Sequence, residues 1–193
     1  MPETPEQLYE RVQRQGLRMP PVEEWESWPF EGEFRPRALQ PPEERERPRS
    51  GETEAECWRC QSGEERAIWS DDRWLLTAMP EPNGLPCVVL LFPRRHVDLG
   101  ELTDDEAADL GRMLVRVERA VSSLRGIGRV HVCRWGDGSY HLHYWFMARP
   151  ARFPQLIGNF AAVWDDVLPP TPPGVWDENL RLVAAALDAS DCA

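Results

Sequence analysis

Residues 140–150, YHLHYWFMARP, alternate strictly between two kinds of side chain. This period of two predicts a β-strand. One face of the strand is apolar enough to pack on a core, and its members are Leu142, Tyr144, Phe146 and Ala148. The opposite face carries His141, His143, Trp145 and Met147. Two imidazoles roughly 7 Å apart fit a metal site, a catalytic pair or two half-buried histidines. Because the chain has only four histidines, finding two on one face favours a functional site.

The rest of residues 57–150 predicts four more strands and one long helix. Apolar and turn residues place the strands near 66–70, 73–79, 87–92 and 130–135. The third, CVVLLF, is apolar throughout, as a central buried strand would be. Thr103 and Glu106 form a capping box before apolar residues spaced by three and four, and Gly126 and Gly128 end that helix. This order of elements predicts an α+β fold with a five-stranded, mainly antiparallel sheet.

The two ends of the chain differ from this central part. Residues 1–56 are rich in Pro and Glu and predict an N-terminal arm, with a short helix near 5–15 and a charged linker over 41–54. Residues 20–40, between the helix and the linker, are rich in aromatic side chains. We therefore expect this part of the arm to lie extended across the domain surface, with four rings packed against it: Trp25, Trp28, Phe30 and Phe34. Residues 151–193 predict a C-terminal helical extension, with helices near 154–167 and 175–188.

Charge and composition narrow the functional classes. A net charge of -11 argues against nonspecific binding to nucleic acid, which depends on Lys and Arg. No run of 18 apolar residues and no basic-then-apolar leader occurs, so we expect a protein that is neither secreted nor membrane-spanning. Five cysteines is an odd number, and Cys57 and Cys60 have metal-ligand spacing. Both facts favour a reducing cytoplasm over a disulfide framework.

Cys57-Trp-Arg-Cys60 is a candidate metal site or redox pair. A thioredoxin-type site would need a βαβ context that the surrounding sequence does not provide. Tetrahedral Zn²⁺ needs two more nitrogen or sulfur ligands. From the residues alone, the candidates are His96, His131, His141, His143, Cys87, Cys133 and Cys192.

Several motifs together resemble the zinc-containing branch of the histidine triad (HIT) superfamily. They are Cys-x-x-Cys, a strand hairpin, an apolar strand ending Pro-Arg-Arg-His, the helix start LGELTDDE and the segment GDGSYHLHYWFMARP. They occur in the same order as in that branch, and the resemblance covers residues 57–150. It implies a HIT-like fold and, as the default expectation, a homodimer formed through the long helix and a sheet edge.

The resemblance also implies roles for individual residues. It makes His143 the nucleophile that attacks the α-phosphorus of a nucleotide. It assigns substrate binding to Gly138, Ser139, Trp145 and Arg149, and a structural zinc to Cys57, Cys60, His96 and His141. The implied function is a nucleotide hydrolase or nucleotidyltransferase acting on a nucleotide or nucleotide conjugate.

Three positions depart from the family pattern. Trp145 replaces the third histidine, and an indole can donate one hydrogen bond but cannot carry a proton. Met79 stands near the place of a ribose-binding acidic residue, with Glu81 as a displaced substitute, and Pro86-Cys87 replaces the usual Gly-His. These departures keep a second hypothesis open, a catalytically inactive, zinc-stabilised binding module. A third is a catalytic metal site on the histidine strand of an unrelated small enzyme.

Overall fold

The computed structural model describes residues 40–190 and, before them, Glu10, Gln13, Arg14, Glu24, Trp28, Phe30, residues 32–34 and Ala38. Most of the helix predicted near residues 5–15 lies outside the described residues, and so does Trp25. The Trp28 ring contacts Phe30, Phe34 and Phe160 edge to face, with centroids 5.5, 5.7 and 5.9 Å away. This part of the arm therefore packs on the C-terminal part of the chain.

The described elements follow one another in the order predicted for an α+β fold. They are α1 (Trp58–Ser62), β1 (Ala67–Ser70), β2 (Trp74–Ala78), β3 (Val88–Pro93), one turn of 3-10 helix (Leu99–Glu101), α2 (Asp104–Ser122), β4 (Ile127–Cys133), β5 (Tyr144–Pro150), α3 (Phe160–Val167) and α4 (Pro173–Ser190). No helix in this part of the chain is long and apolar enough to cross a membrane.

The five strands form one sheet in the order β1-β2-β3-β5-β4, and every neighbouring pair is antiparallel. The apolar run that predicted a buried strand is β3, the middle strand, and all six of its residues are buried. A strand can be apolar throughout only if both of its faces are covered. The predicted five-stranded antiparallel sheet is therefore confirmed.

Helix α2 covers one face of the sheet together with α4. Thr103 and Glu106 form the predicted capping box, in which the hydroxyl of Thr103 accepts from the N–H of Glu106 and the Glu106 carboxylate accepts from the N–H of Thr103. The main core between the helices and the sheet includes Leu110, Met113, Val117, Val121, Leu180, Val183 and Leu187. The apolar periodicity of the sequence thus predicted the buried side of the long helix correctly.

The opposite face of the sheet carries a smaller core under α3. The alternation along β5 is as predicted, because Phe146 and Ala148 belong to the main core whereas Met147 belongs to the second cluster. Trp145 also packs on this second face. The face left partly open beside α3 is the one that holds the candidate site.

The structure differs from the sequence prediction at several boundaries. Strand β5 begins at Tyr144, opposite Leu91, so His141 and His143 lie before the strand, in the connection from β4. The ladder to β3 stops there because Pro93 has no N–H to donate, and the Leu142 N–H bonds to the Val97 carbonyl instead. Strand β4 begins three residues earlier than predicted, α3 begins later and α4 earlier, and α1 was not predicted.

Candidate functional site

Four potential metal ligands, here called the four-ligand cluster, lie together at one end of the central strands: Cys57, Cys60, His96 and His141. Cys57 is the N-cap of α1 and Cys60 lies in its first turn, while His96 follows β3 and His141 precedes β5. Their ligand atoms all lie within 4.8 Å of one another. The Sγ atoms of Cys57 and Cys60 are 3.4 and 3.5 Å from the His141 Nδ1 atom, and Cys60 Sγ is 3.4 Å from the His96 Nδ1 atom.

These separations fit a tetrahedral ion. Ligands at the usual zinc distances of roughly 2.0–2.3 Å are about 3.5 Å apart along a tetrahedral edge. Each imidazole has a carbonyl acceptor behind it: His141 Nε2 is 2.8 Å from the Pro93 oxygen, and His96 Nε2 is 3.3 Å from the Glu52 oxygen. If Nε2 carries the hydrogen and donates it to this carbonyl, the lone pair of Nδ1 faces the thiols. Metal-binding histidines usually donate their other ring N–H to a carbonyl or carboxylate in this way.

Burial shifts the pKa of two members of the cluster, Cys60 and His141. Desolvation, followed by the neighbouring Cys57 thiol, raises the pKa of Cys60 to about 11. Desolvation also lowers the pKa of His141 and favours its neutral form. A divalent ion would reverse the preference of the thiols, because a coordinating thiol is deprotonated. The donor set of two cysteine sulfurs and two imidazole nitrogens therefore fits zinc.

His143 lies two residues beyond this cluster with one nitrogen fixed. Its Nδ1 atom is 2.9 Å from the backbone oxygen of His141. Because a carbonyl only accepts, Nδ1 must carry the hydrogen, and in the neutral ring Nε2 then holds the free lone pair. The imidazole stacks on Phe92 with centroids 5.6 Å apart and meets the Trp145 ring at 6.2 Å. The packing and the hydrogen bond together fix the orientation of a ring nitrogen that has a free lone pair.

A cavity of about 260 Å³ opens beside His143. Its lining consists of Trp58, Arg66, Thr77, Ala78, Met79, Pro80, Leu90, Phe92, Ser139, His143 and Trp145. Among the described residues no carboxylate lines it, and Met79 stands where the family resemblance places an acidic residue. Glu81 is exposed and does not line the cavity. The walls are therefore mainly aromatic and apolar, with one guanidinium and one imidazole.

The loop between β4 and β5 brings Ser139 to this cavity. Strands β4 and β5 form a hairpin, and its connection spans residues 134–143. Gly138 is exposed, and its carbonyl accepts from the Ser50 N–H at 2.9 Å. Ser139 lines the same cavity as His143. The structure thus brings His143, Ser139 and Trp145 together, with Gly138 as the neighbour of Ser139.

Arg149 lies apart from this group. It is six residues from His143, about 20 Å along an extended chain, and its guanidinium donates to the carbonyls of Phe153 and Pro150 at 3.0 and 3.4 Å. It does not line the cavity. The structure does not bring Arg149 to the phosphate position that the resemblance implied, because the strand carries it to the other end of the sheet.

Sequence reasoning missed several of the cavity residues. Trp58 enters from α1, between the two cysteines, and meets Phe92 edge to face at 6.1 Å. The position of Trp58 inside Cys-x-x-Cys was the available signal. Arg66 precedes β1 in a left-handed backbone conformation with φ +61°. Nothing in the local sequence indicates that conformation, because Gly is the residue usually found there.

Comparison with known proteins places the fold. No protein-family profile matches the sequence, and no curated protein matches it. Among solved structures, the chain is similar to a zinc-bound histidine triad family protein from Mycobacterium smegmatis, with TM-score 0.53, 22% identity, and coverage of 72% of this chain and 99% of that one. It is also similar to a histidine triad protein from Marinobacter aquaeolei VT8, with TM-score 0.51, 19% identity, and coverage of 64% and 88%. The resemblance seen in the sequence is thus confirmed for the architecture, and the protein has the HIT-like fold of the histidine triad superfamily.

Proposed function

We propose that the protein is a nucleotide hydrolase or nucleotidyltransferase that acts through His143. The observation that carries this proposal is the hydrogen bond from the His143 Nδ1–H to the His141 carbonyl. It leaves the Nε2 lone pair available in an imidazole that also lines a cavity. The fold shared with a zinc-bound histidine triad protein supports the same chemistry.

The reaction takes two displacements at phosphorus. The Nε2 lone pair forms a bond to the α-phosphorus, and the bond from phosphorus to the leaving group breaks with its electron pair on the leaving group. Water, or another acceptor, then attacks the same phosphorus and loses a proton to solvent, and the P–N bond breaks with its electrons returning to Nε2. Ser139 supplies hydrogen-bond donors beside the phosphorus, where negative charge accumulates on the phosphoryl oxygens.

Trp145 limits the kinds of leaving group that the proposed reaction can expel. An indole N–H can donate a hydrogen bond but cannot deliver a proton. A phosphate leaves as an anion without being protonated at the breaking bond, whereas an amine must be protonated. We therefore propose that phosphoanhydrides, such as dinucleoside polyphosphates, are better substrates than phosphoramidates. The aromatic walls, which include Trp58 and Trp145, fit the planar base of a nucleotide.

We also propose that Cys57, Cys60, His96 and His141 hold a structural zinc ion. With four protein ligands the ion has no open position for water, so its chemistry is confined to fastening the start of α1 to the segments around His96 and His141. The homodimer and the cytoplasmic location expected from the sequence remain proposals, testable by native mass spectrometry and by localisation of the tagged protein.

A binding module without catalysis is the second candidate. The buried Nε1 of Trp145 has no hydrogen-bond partner in the described part of the chain. The cavity also lacks a carboxylate for ribose hydroxyls among those residues. Both observations favour a site that holds a ligand without the usual turnover groups.

Turnover measurements separate the two candidates. Diadenosine tetraphosphate and an adenosine phosphoramidate are incubated with the wild type, His143→Ala and His131→Ala, and products are quantified. His131 lies on β4 and does not line the cavity, so it is a matched control. We expect His143→Ala to lower turnover by at least about 10³-fold and His131→Ala to leave it near wild type. Binding of both compounds without turnover by the wild type would support the binding module.

A further inference from the structure

The chain segment 49–52, here called the strap, joins the Ser139 loop to the four-ligand cluster. The Ser50 N–H donates to the Gly138 carbonyl at 2.9 Å, and the Ser50 carbonyl accepts from the Tyr140 N–H at 3.0 Å, which forms an isolated parallel bridge to Ser139. At the other end of the strap, the Glu52 carbonyl is the 3.3 Å partner of the His96 ring. The strap therefore spans two parts of the candidate site.

The side chain of Arg49 adds further contacts between the strap and the Ser139 loop. Its Nη1 donates to Asp98 Oδ2 at 2.8 Å and to the Gly136 carbonyl at 3.2 Å, and its guanidinium lies 4.7 Å from the centre of the Tyr140 ring. Arg134 donates to the other oxygen of Asp98. Both partners of the Arg49 ion pair are largely sheltered, with side chains about one quarter exposed. A sheltered ion pair that also bonds the Gly136 carbonyl restrains the loop more than an open surface pair would.

The bridge determines which way the Ser139 peptide groups point. In a parallel bridge the partner's two neighbours supply the bonding groups, here the Gly138 carbonyl and the Tyr140 N–H. The N–H of Ser139 itself then faces away from the strap. It has no acceptor among the described residues, and Ser139 lines the cavity with His143. This unpaired N–H lies beside His143, where it can donate a hydrogen bond to an anionic oxygen of the ligand.

We propose that Arg49 and Ser50 are positioning residues, which hold the Ser139 N–H toward a phosphate group at His143. This inference rests on the proposed function and adds to it a segment that lies outside the family resemblance. The strap makes the N-terminal part of the chain necessary for recognising the charged part of the ligand, while the aromatic walls recognise the uncharged part.

Binding of adenosine 5'-monophosphate and of uncharged adenosine tests the proposal. Dissociation constants are measured by calorimetry for the wild type, Arg49→Met and Arg47→Met. Arg47 is a matched control, because it lies two residues before Arg49 and outside the strap, its side chain is 79% exposed and it pairs with Glu43. We expect Arg49→Met to weaken monophosphate binding by about tenfold with adenosine binding unchanged, and Arg47→Met to change neither.

Amide hydrogen exchange in the wild type gives a second readout that does not depend on a variant folding. We expect the Tyr140 amide to exchange slowly, the Ser139 amide to exchange fast, and the Ser139 amide to slow when adenosine 5'-monophosphate is added. Arg49→Met should speed exchange at Tyr140.

Each other outcome has a distinct meaning. If the wild type prefers the monophosphate and Arg49→Met keeps that preference, or if Tyr140 and Ser139 exchange equally fast in the wild type, the strap proposal is overturned and the proposed function stands. If the wild type binds adenosine and its monophosphate equally, the phosphate site is absent and the proposed function fails together with this inference.

Discussion

His141 contributes to both halves of the site through two different groups. Its Nδ1 atom lies 3.4 and 3.5 Å from the Cys57 and Cys60 sulfurs, while its backbone carbonyl is 2.9 Å from Nδ1 of His143. One residue thus joins the four-ligand cluster to the histidine that lines the cavity. The orientation of His143 depends on where the cluster holds the His141 backbone.

Zinc content tests the four-ligand cluster. We expect elemental analysis to give about one zinc per chain, and Cys57→Ser to lower both this content and the melting temperature, because metal binding to such a site contributes directly to folding. Cys133→Ser is the control, since this thiol lies outside the cluster. A wild-type protein that is free of metal and unaffected by chelators would contradict the assignment.

The third position of the histidine segment can be tested by Trp145→His. The change places a proton carrier on the cavity face, so we expect turnover of an adenosine phosphoramidate to rise by roughly 10²–10⁴-fold. Turnover of diadenosine tetraphosphate should change much less. Trp145→Phe is the control for packing, because it keeps an aromatic ring without the N–H. Equal rates for Trp145→His and wild type on the phosphoramidate would refute a limiting proton transfer.

Asp165 should make stability depend on pH. It accepts from the Leu85 N–H at 2.7 Å and from the Asn83 amide at 3.1 Å, and burial is the main cause that raises its pKa above 3.8. A carboxyl whose pKa is higher in the folded state contributes stability at low pH and loses it as pH rises through the folded value. Asp165→Asn keeps the acceptor for Leu85, so we expect it to be more stable than wild type at pH 7 and not at pH 3.

Chemical denaturation at several pH values measures this difference. Asp72→Asn is the matched control, because Asp72 is exposed and lies near the Pro93 end of β3, whereas Asp165 bonds Leu85 beyond the other end of that strand. It should show no such crossover. Asp165→Ala should cost about 1–3 kcal/mol, since it leaves a sheltered N–H without its acceptor. A stability difference between Asp165→Asn and wild type that is the same at every pH would disprove the burial argument.

Gly51 allows the strap to pass the first cysteine. Its φ is +69°, and a Cβ there would lie 2.9 Å from the Cys57 Cα. Gly126 also has a positive φ, +83°, but a Cβ there would meet nothing within 4 Å. We expect Gly126→Ala to cost about 1–2 kcal/mol for the backbone conformation alone, and Gly51→Ala to cost more and to lower zinc content. Equal costs in thermal unfolding would contradict the close approach.

The sequence predicted the parts of the fold that depend on local patterns. The apolar run of β3, the capping box of α2 and the alternation along β5 each report burial directly, because each residue's environment follows from its neighbours in the chain. The four clustered cysteine and histidine residues were predicted from the family resemblance. Spacing alone leaves seven candidate partners for the Cys57–Cys60 pair.

The remaining features depend on contacts between distant segments. Arg149 follows the histidines in sequence, but the regular rise of β5 carries it away from the cavity. Arg66 and Trp58 reach the cavity because β1 pairs with β2 and α1 contacts β3. The hydrophobic periodicity of the sequence does not predict these contacts between segments. The strap lies within a segment whose charge predicted a linker, and its contacts with Gly138 and Tyr140 are backbone hydrogen bonds that carry no side-chain signature.

A covalent intermediate on His143 is the most direct test of the central claim. The wild type, His143→Ala and His131→Ala are mixed with diadenosine tetraphosphate, quenched within the first turnover and weighed as intact proteins. We predict an increase of one adenylyl group in the wild type and in His131→Ala, located on His143 by peptide mapping, and none in His143→Ala. A zinc-loaded wild type that binds the compound but shows neither adduct nor turnover, or an adduct that persists in His143→Ala, would contradict the account.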